Sequence, residues 1–481
     1  MPSTGWYERM QFPMKPTFQR IRAGLRLTLA AGALALGGMA MPASADSLRQ
    51  AMVDAYANSF LLEQNRYLLR IDDEGVAQAM AALRPVLSFV ASMDRDLVAD
   101  TTTSTASLVA EWVIYQGGGR RAAIEGARET LLAARQELVA LEQQVLLDAV
   151  TAYMNVWRDI QVVNVRERNV RVITQQLRAA RDRFEVGEDT RTDVAQAEAA
   201  LAQARSELAA AQGTLEISRE LFNLAIGRYP SGLSGPGSIP GLPRTEAEAE
   251  ALARQSHPNV LALQHEVTAA ELAVAEARSA YLPSVTLDGR YSYTDVDPAP
   301  LTGNPGEGAS IGITLTQPIY RGGQLASFER QALAQAAAVR AGLNQQVLVN
   351  VQQVGNAWAQ MRIANAQIQA ADQQITAAEL AFEGVQEEAS LGARTTLDVL
   401  DAEQDVLDAR IARIQAQADL YVASYSLLAA SGLLTVEHLG LQVPEYDPAA
   451  YAELFGRAPA RFASPQGAQL DSVLQRVGRS D

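Results

Sequence analysis

Two hydrophobic periods divide the chain. From 284 to 294 the positions alternate strictly, with Val285, Leu287, Gly289, Tyr291 and Tyr293 set against Ser284, Thr286, Asp288, Arg290, Ser292 and Thr294. A period of two with aromatic and aliphatic groups on one face and charged groups on the other predicts a strand between an apolar and a wet environment. Ile311, Ile313 and Leu315 repeat the pattern against Ser310, Gly312, Thr314 and Thr316, so strands are expected at about 284–296 and 309–320. The Pro/Gly/Asn-rich stretch 297–308 between them reads as a loop. A weaker alternation (Leu87, Phe89, Ala91, Met93; Leu108, Ala110, Trp112, Ile114) predicts strands at about 86–94 and 105–115. Strands of ~10 residues have the length that crosses a bilayer at a tilt.

The other period is helical. No proline interrupts 119–185 or 324–390, and apolar positions such as Leu131, Leu138, Val145, Ala149, Ala152 and Val156 recur at spacings of three and four. At ~1.5 Å per residue each segment predicts a rod of roughly 100 Å. Each rod turns at a glycine, Gly187 or Gly392, and returns as a helix of about 35 residues. A further helix is expected over 246–281.

One unit is used twice. Ile114-Tyr115-Gln116-Gly117-Gly118 returns as Ile319-Tyr320-Arg321-Gly322-Gly323, an offset of 205 that also relates Tyr153 to Trp358, Gly187 to Gly392 and Asp193-Val194 to Asp398-Val399. Pro85 and Pro283 match at 198, so the second copy carries seven more residues between the proline and the Ile-Tyr motif. The copies are expected at 46–229 and 246–440, joined by a Pro/Gly linker at 230–245. A tail at 441–481, with prolines among polar residues, is expected to be partly disordered.

Composition fits long packed helices: hydrophobic residues are 48% of the chain and aromatics only 6%, so Ala, Leu and Val dominate. Cysteine is absent, which excludes disulfides, thiolate metal sites and an acylated N-terminal Cys. Residues 1–45 read as a secretory leader: Lys15, Arg20, Arg22 and Arg26 precede an apolar stretch at 27–39, and Ala43-Ser44-Ala45 supplies the small-x-small cleavage pattern before Asp46. Its removal takes away five basic residues and one acid, moving the formal charge from −15 to −19. A chain so acidic does not bind nucleic acid by general attraction. Lys15 is the only lysine. No later window holds ~18 consecutive apolar residues, so an exported chain must meet a membrane, if at all, through its strands.

Four strands cannot close a barrel, and an open edge in lipid leaves backbone groups unpaired at several kcal/mol each. The sequence therefore predicts a barrel shared between chains. Trp112, Tyr115, Tyr291, Tyr293 and Tyr320 suit its interfacial aromatic belts. A soluble hairpin pair capping a coiled coil would leave the aromatic-versus-charged alternation unexplained.

Ser390-Leu391-Gly392-Ala393-Arg394-Thr395-Thr396-Leu397-Asp398-Val399-Leu400-Asp401-Ala402, the run Pro318–Gly323 and Tyr281-Leu282-Pro283 resemble the TolC family of outer-membrane efflux and secretion proteins. The resemblance covers the chain from the leader to about 441. It implies a mainly α fold with a small β part: long antiparallel helical hairpins plus four transmembrane strands per protomer, a homotrimer forming a 12-stranded β-barrel and a 12-helix tunnel. It also implies an outer-membrane location extending into the periplasm, with a periplasmic adaptor and an inner-membrane pump or ABC transporter as partners, and no cofactor.

Asp398 and Asp401 share a helix face at the second turn. Thr395 with Asp398 is nearly a capping box, repeated by Thr190 and Asp193, but capping does not account for Asp401, whose counterpart is Gln196. The resemblance implies that the two acids ring the tunnel entrance. Arg394, Thr192 and Asp193 match positions that bridge neighbouring coils at the closed tip. Ala389 departs from the family pattern, standing where a gate tyrosine is expected. His257, His265 and His438 have no second ligand at metal spacing, and no catalytic constellation is present. The expectation is a passive, gated export duct. An exported trimeric coiled-coil adhesin is the competing class, and it needs neither duplicated strand pairs nor acids at one turn only.

Overall fold

The computed structural model describes residues 46–297, 306–444, 446–449, 451, 465 and 472. The leader, loop residues 298–305 and most of the tail lie outside the described residues. The elements run α1 (Leu48–Asn58), α2 (Phe60–Ala81), β1 (Val86–Asp96), β2 (Thr101–Gln116), α3 (Gly119–Glu185) and α4 (Arg191–Ile226). They continue as α5 (Glu246–Gln255), α6 (Pro258–Ser279), β3 (Ser284–Asp297), β4 (Gly306–Thr316), α7 (Gln324–Ser390), α8 (Thr396–Ala430) and α9 (Val436–Leu439). None of the described helices is long and apolar enough to cross a membrane.

The same order occurs twice, α1-α2-β1-β2-α3-α4 and α5-α6-β3-β4-α7-α8, and the capping residues coincide. Ser47 caps α1 as Thr245 caps α5, and Ser59 caps α2 as His257 caps α6, both at 198. Gly118 and Gly323 open the rods, and Gly227 and Gly432 follow the return helices, at 205 with positive φ throughout. Several boundaries differ from the sequence expectation; β1 runs on to Asp96 and β4 begins at Gly306, inside the expected loop. The helix 246–281 is two helices, because Pro258 has no N–H to donate and takes the first helical position after the His257 cap. β4 stops at Thr316 instead of 320, since Pro318 cannot donate to a ladder, so Tyr320 stands beyond the strand. β2 begins at Thr101, where a run of threonines carries no alternation to read but has high strand propensity.

The sheet is antiparallel in the order β1-β2-β3-β4. Its register sorts the side chains cleanly. Leu87, Ala110, Gly289 and Ile311 form one row, and Phe89, Leu108, Tyr291 and Ala309 the next on that face. The rows between them are Ser88, Val109, Arg290, Ser310 and Val90, Ser107, Ser292, Gly308. One face is thus apolar and the other mostly polar. The register shifts between Val113 and Tyr115, so Tyr115 rather than Ile114 stands opposite Val285.

The largest core lies midway along the rods, where α1 and the ends of α4 and α8 pack on α3. Leu146, Val150, Tyr153, Met154, Phe222, Leu428 and Leu434 are wholly buried there, with the Tyr153 and Phe222 rings 6.5 Å apart. Away from it the two rods differ although each has 67 residues. Twenty residues of α3 are buried but only seven of α7, six of them alanine or valine, while Phe328, Leu348 and Leu380 of α7 are exposed. The difference follows from position: α3 has α2, α4, α6 and α8 against it, whereas α7 borders the edge of the chain.

Candidate channel and its tip

At one end of the rods stands the sheet. Leu87, Phe89, Met93, Ile311, Ile313 and Leu315 are each at least 66% exposed. A contiguous apolar face of this kind on a soluble monomer would be an aggregation site, so lipid is its natural solvent. Eleven residues of β1 or β4 rise about 36 Å, which at a tilt of ~45° covers about 25 Å, the height of an outer-membrane apolar band. Trp112, Tyr291 and Tyr293 join the apolar face, Trp112 opposite Leu287 near the helices and Tyr291 and Tyr293 further along opposite Leu108 and Ala106. The bulge brings Tyr115 to the same end as Trp112. The Trp112 indole N–H also donates to the Leu83 carbonyl at 2.9 Å, and Gln317 does the same for the Tyr281 carbonyl at 2.8 Å. Positions 112 and 317 are repeat equivalents, as are 83 and 281, so two unlike side chains pin the same strand-to-helix corner.

The glycines of these corners are needed for different reasons. Gly117 has φ +58°, and a Cβ there would lie 2.7 Å from both the Leu282 Cβ and the Ser279 carbonyl oxygen. Gly322, its equivalent, has the same φ but nothing within 4 Å. The end of α6 that crowds Gly117 has its counterpart in the end of α2, which within one chain is far from Gly322 in sheet order.

At the opposite end are the turns. Gly187 and Gly392 carry φ of +83° and +77°, the left-handed conformation that closes each turn without a Cβ clash. Each return helix opens with a full capping box. Thr190 Oγ1 accepts from the Asp193 amide at 3.3 Å while the Asp193 carboxylate accepts from the Thr190 amide at 3.0 Å. Thr395 and Asp398 do the same at 3.3 and 2.9 Å. The Thr395 backbone bond, then its hydroxyl, then Arg394 hold the Asp398 carboxyl below its ordinary range, and the Thr190 hydroxyl and amide do so for Asp193. Both acids are therefore ionised over the whole physiological range. Asp401, one turn further, is exposed and has no hydrogen bond or ion pair among the described residues. Asp398 is thus committed to the cap through one oxygen, and Asp401 carries a free charge.

Arg394 pairs within its own hairpin, its Nε donating to Glu388 at 2.9 Å. No bond joins it to Thr192 or Asp193 among the described residues, and Thr192 is exposed. Sequence reasoning missed the matching pair in the first turn, Arg183 to Asp189 at 3.1 Å. Positions 183 and 189 are the 205-offset equivalents of 388 and 394, with the signs exchanged. That inversion is readable from the 205-residue offset alone. Arg183 Nη2 also reaches Thr396 Oγ1 at 3.4 Å, a link from the first hairpin to the start of α8. Ala389 is buried beside this region. His265 pairs with Glu129 across α6 and α3 at 2.7 Å, and no group of three or more metal-ligating side chains occurs among the described residues.

The sequence profile of the outer membrane efflux protein family matches this chain twice, over 51–228 and 251–433. The chain belongs to that family. It is 37% identical over 87% of its length, and 93% of the relative's, to the outer membrane efflux protein BepC of Brucella suis. To the outer membrane protein TolC of Vibrio cholerae it is 27% identical over 65% of this chain and 73% of that one. The structure of VceC, an outer membrane protein of Vibrio cholerae, superposes with a TM-score of 0.70 at 22% identity over 80% of this chain and 96% of that one. The protein is thus a TolC-like efflux channel of the Gram-negative outer membrane, a membership that supports a non-enzyme role in general and does not favour the adhesin reading.

Proposed function

We propose that three copies of this chain close into one barrel and one helical tunnel, a passive exit duct for an efflux pump or a type I secretion system. The observation that carries this reading is the open-edged amphipathic sheet. β1 runs away from the helices and β4 runs back, so β4 of one copy meets β1 of the next in the same antiparallel sense as every pair inside the chain. Closure removes two unpaired edges that lipid cannot satisfy. The empty space at Gly322 and the sparsely buried α7 support the same closure, since the next copy would bring its α2 to both.

The rods would carry the duct through the periplasm, and an adaptor and an energised inner-membrane pump or ABC transporter would engage the end bearing Gly187 and Gly392. Asp398 and Asp401 from each copy would form the entrance ring, with the free Asp401 charge setting its preference for cations. Arg183, Asp189, Glu388 and Arg394 would hold the turns shut in place of the tyrosine that Ala389 replaces. The aromatic groups Trp112, Tyr115, Tyr291 and Tyr293 would sit in the belts, with Tyr320 at the corner beyond the strand.

Single-channel recording of the purified protein in a planar bilayer tests this. The expected result is a small cation-selective conductance blocked by multivalent cations, with block weakened by Asp401→Asn, which disturbs no cap. Unchanged block in that variant would remove Asp401 from the entrance, and no conductance from well-folded protein would overturn the duct.

A further inference from the structure

Where the first copy begins, the chain is buried. Asp46 is 7% exposed, and its backbone amide nitrogen lies 2.7 Å from the Gly232 carbonyl oxygen. Its own carbonyl accepts from the Ser234 amide at 3.0 Å and lies 2.8 Å from the hydroxyl of the wholly buried Tyr153. These bonds splice Asp46 to 232–234 of the inter-repeat linker as a parallel bridge. The Asp46 carboxylate takes Arg228 in two bonds of 2.7 and 3.1 Å and the Ser231 amide at 3.0 Å, while Arg228 also grips Asp54 at 2.7 Å.

The equivalent position in the second copy behaves differently. Arg244, one residue before the Thr245 cap, is exposed, and its amide bonds to the Glu248 side chain. There the chain arrives from the linker in the open.

Two carboxylates share one guanidinium in this part-buried network, which leaves one negative charge in excess and room for a second cation beside Asp46. We propose that hydrolysis of the Ala45–Asp46 bond by a leader peptidase completes the network. Water's oxygen leaves as part of the Ala45 carboxylate, and the freed nitrogen gains protons to become an α-ammonium on Asp46. That ammonium balances the charge and turns the 2.7 Å contact to Gly232 into a charge-assisted bond, roughly twice the strength of a neutral one. Leader removal is therefore a closing step of the fold, fastening α1 to the linker between the repeats, and Asp46 is its positioning residue. The inference rests on the leader reading of 1–45 and is independent of the duct.

The sequence supplies an unusually clean probe. Lys15 is the only lysine and lies in the leader, so the cut chain has a single primary amine, the one on Asp46. N-terminal analysis of protein purified from the outer membrane should return Asp46, and another first residue would overturn the proposal. Reductive methylation of the folded protein in detergent should be slower than in denaturant at the same pH by at least about ten-fold. A variant with Gly-Ser inserted between Ala45 and Asp46 keeps a cleavable leader but moves the amine away. It should label rapidly when folded, and its complex should come apart at a lower temperature. Free labelling of the parent, or an insertion variant as heat-resistant as the parent, would overturn the latch, and neither result bears on conductance.

Discussion

Replacing Gly117 and Gly322 by alanine, separately, tests whether the two halves of the chain see the same surroundings. Both glycines have φ +58°, so both variants incur the left-handed penalty of an L-residue, about 1–2 kcal/mol. At Gly117 the new methyl would also lie 2.7 Å from a backbone carbonyl oxygen that cannot swing aside, and relieving such overpacking typically adds about 1–3 kcal/mol. Within one chain Gly322 has no such neighbour. If copies close into a ring, the end of α2 of the next copy occupies the place that the end of α6 occupies at Gly117. The two variants should then be equally damaged. Gly187→Ala, at an open turn with φ +83°, supplies the conformational penalty alone. The assay is the temperature at which the detergent-solubilised complex dissociates on a semi-native gel. Gly117→Ala and Gly322→Ala should both fall below Gly187→Ala by a similar margin. A Gly322→Ala complex that behaves like Gly187→Ala would refute the quasi-equivalence.

Other expectations follow from the same geometry. Thr395→Ala should loosen the first turn of α8 by about 1 kcal/mol, and Thr190→Ala that of α4, read as faster hydrogen exchange confined to those turns. Asp73 on α2 is 1% exposed, and burial, aided by Asp72 and Glu74 against Arg135 and Arg70, raises its carboxyl from 3.8 to about 6. A folded-state value above the unfolded one means that its contribution is full below about 3.8 and is lost as pH rises through about 6. The complex should therefore be more heat-resistant near pH 5 than near pH 7.5, and Asp73→Asn should flatten the difference, worth on the order of 1 kcal/mol between those two pH values. An unchanged pH slope in that variant would show that another group carries it. Arg183→Glu should open the tip and raise conductance, and adding Asp189→Arg should bring it back toward the parent, because the pair then matches the sign order already used by Glu388 and Arg394.

Much of this architecture can be read from the chain because its long elements are bounded by residues with few alternatives. α3 and α7 each start after paired glycines, contain no proline and stop at a glycine turn, so propensity, period and punctuation agree. Strand ends are less legible. A one-residue bulge at Ile114 transfers Tyr115 to the apolar face, and nothing in a strict alternation announces it. The helical period likewise runs through His257-Pro258, and only the proline chemistry marks the break. At the tip, the sequence points to Asp398 and Asp401 by type and spacing. That one is fastened into a cap and the other is free depends on rotamers that only the structure shows. The Asp46 network was illegible for another reason: its partners Arg228, Ser231 and Ser234 lie some 180 residues away in the chain, in a stretch whose composition reads only as linker.

In the proposed duct, copies of this chain complete one another's sheet and tunnel, and their number is open to direct measurement. Native mass spectrometry of the protein released from detergent micelles should give a mass of three cut chains, with monomer appearing only on denaturation. A folded monomer or dimer as the stable species would contradict it, because four or eight strands with these side chains would not enclose the tunnel that the helices require.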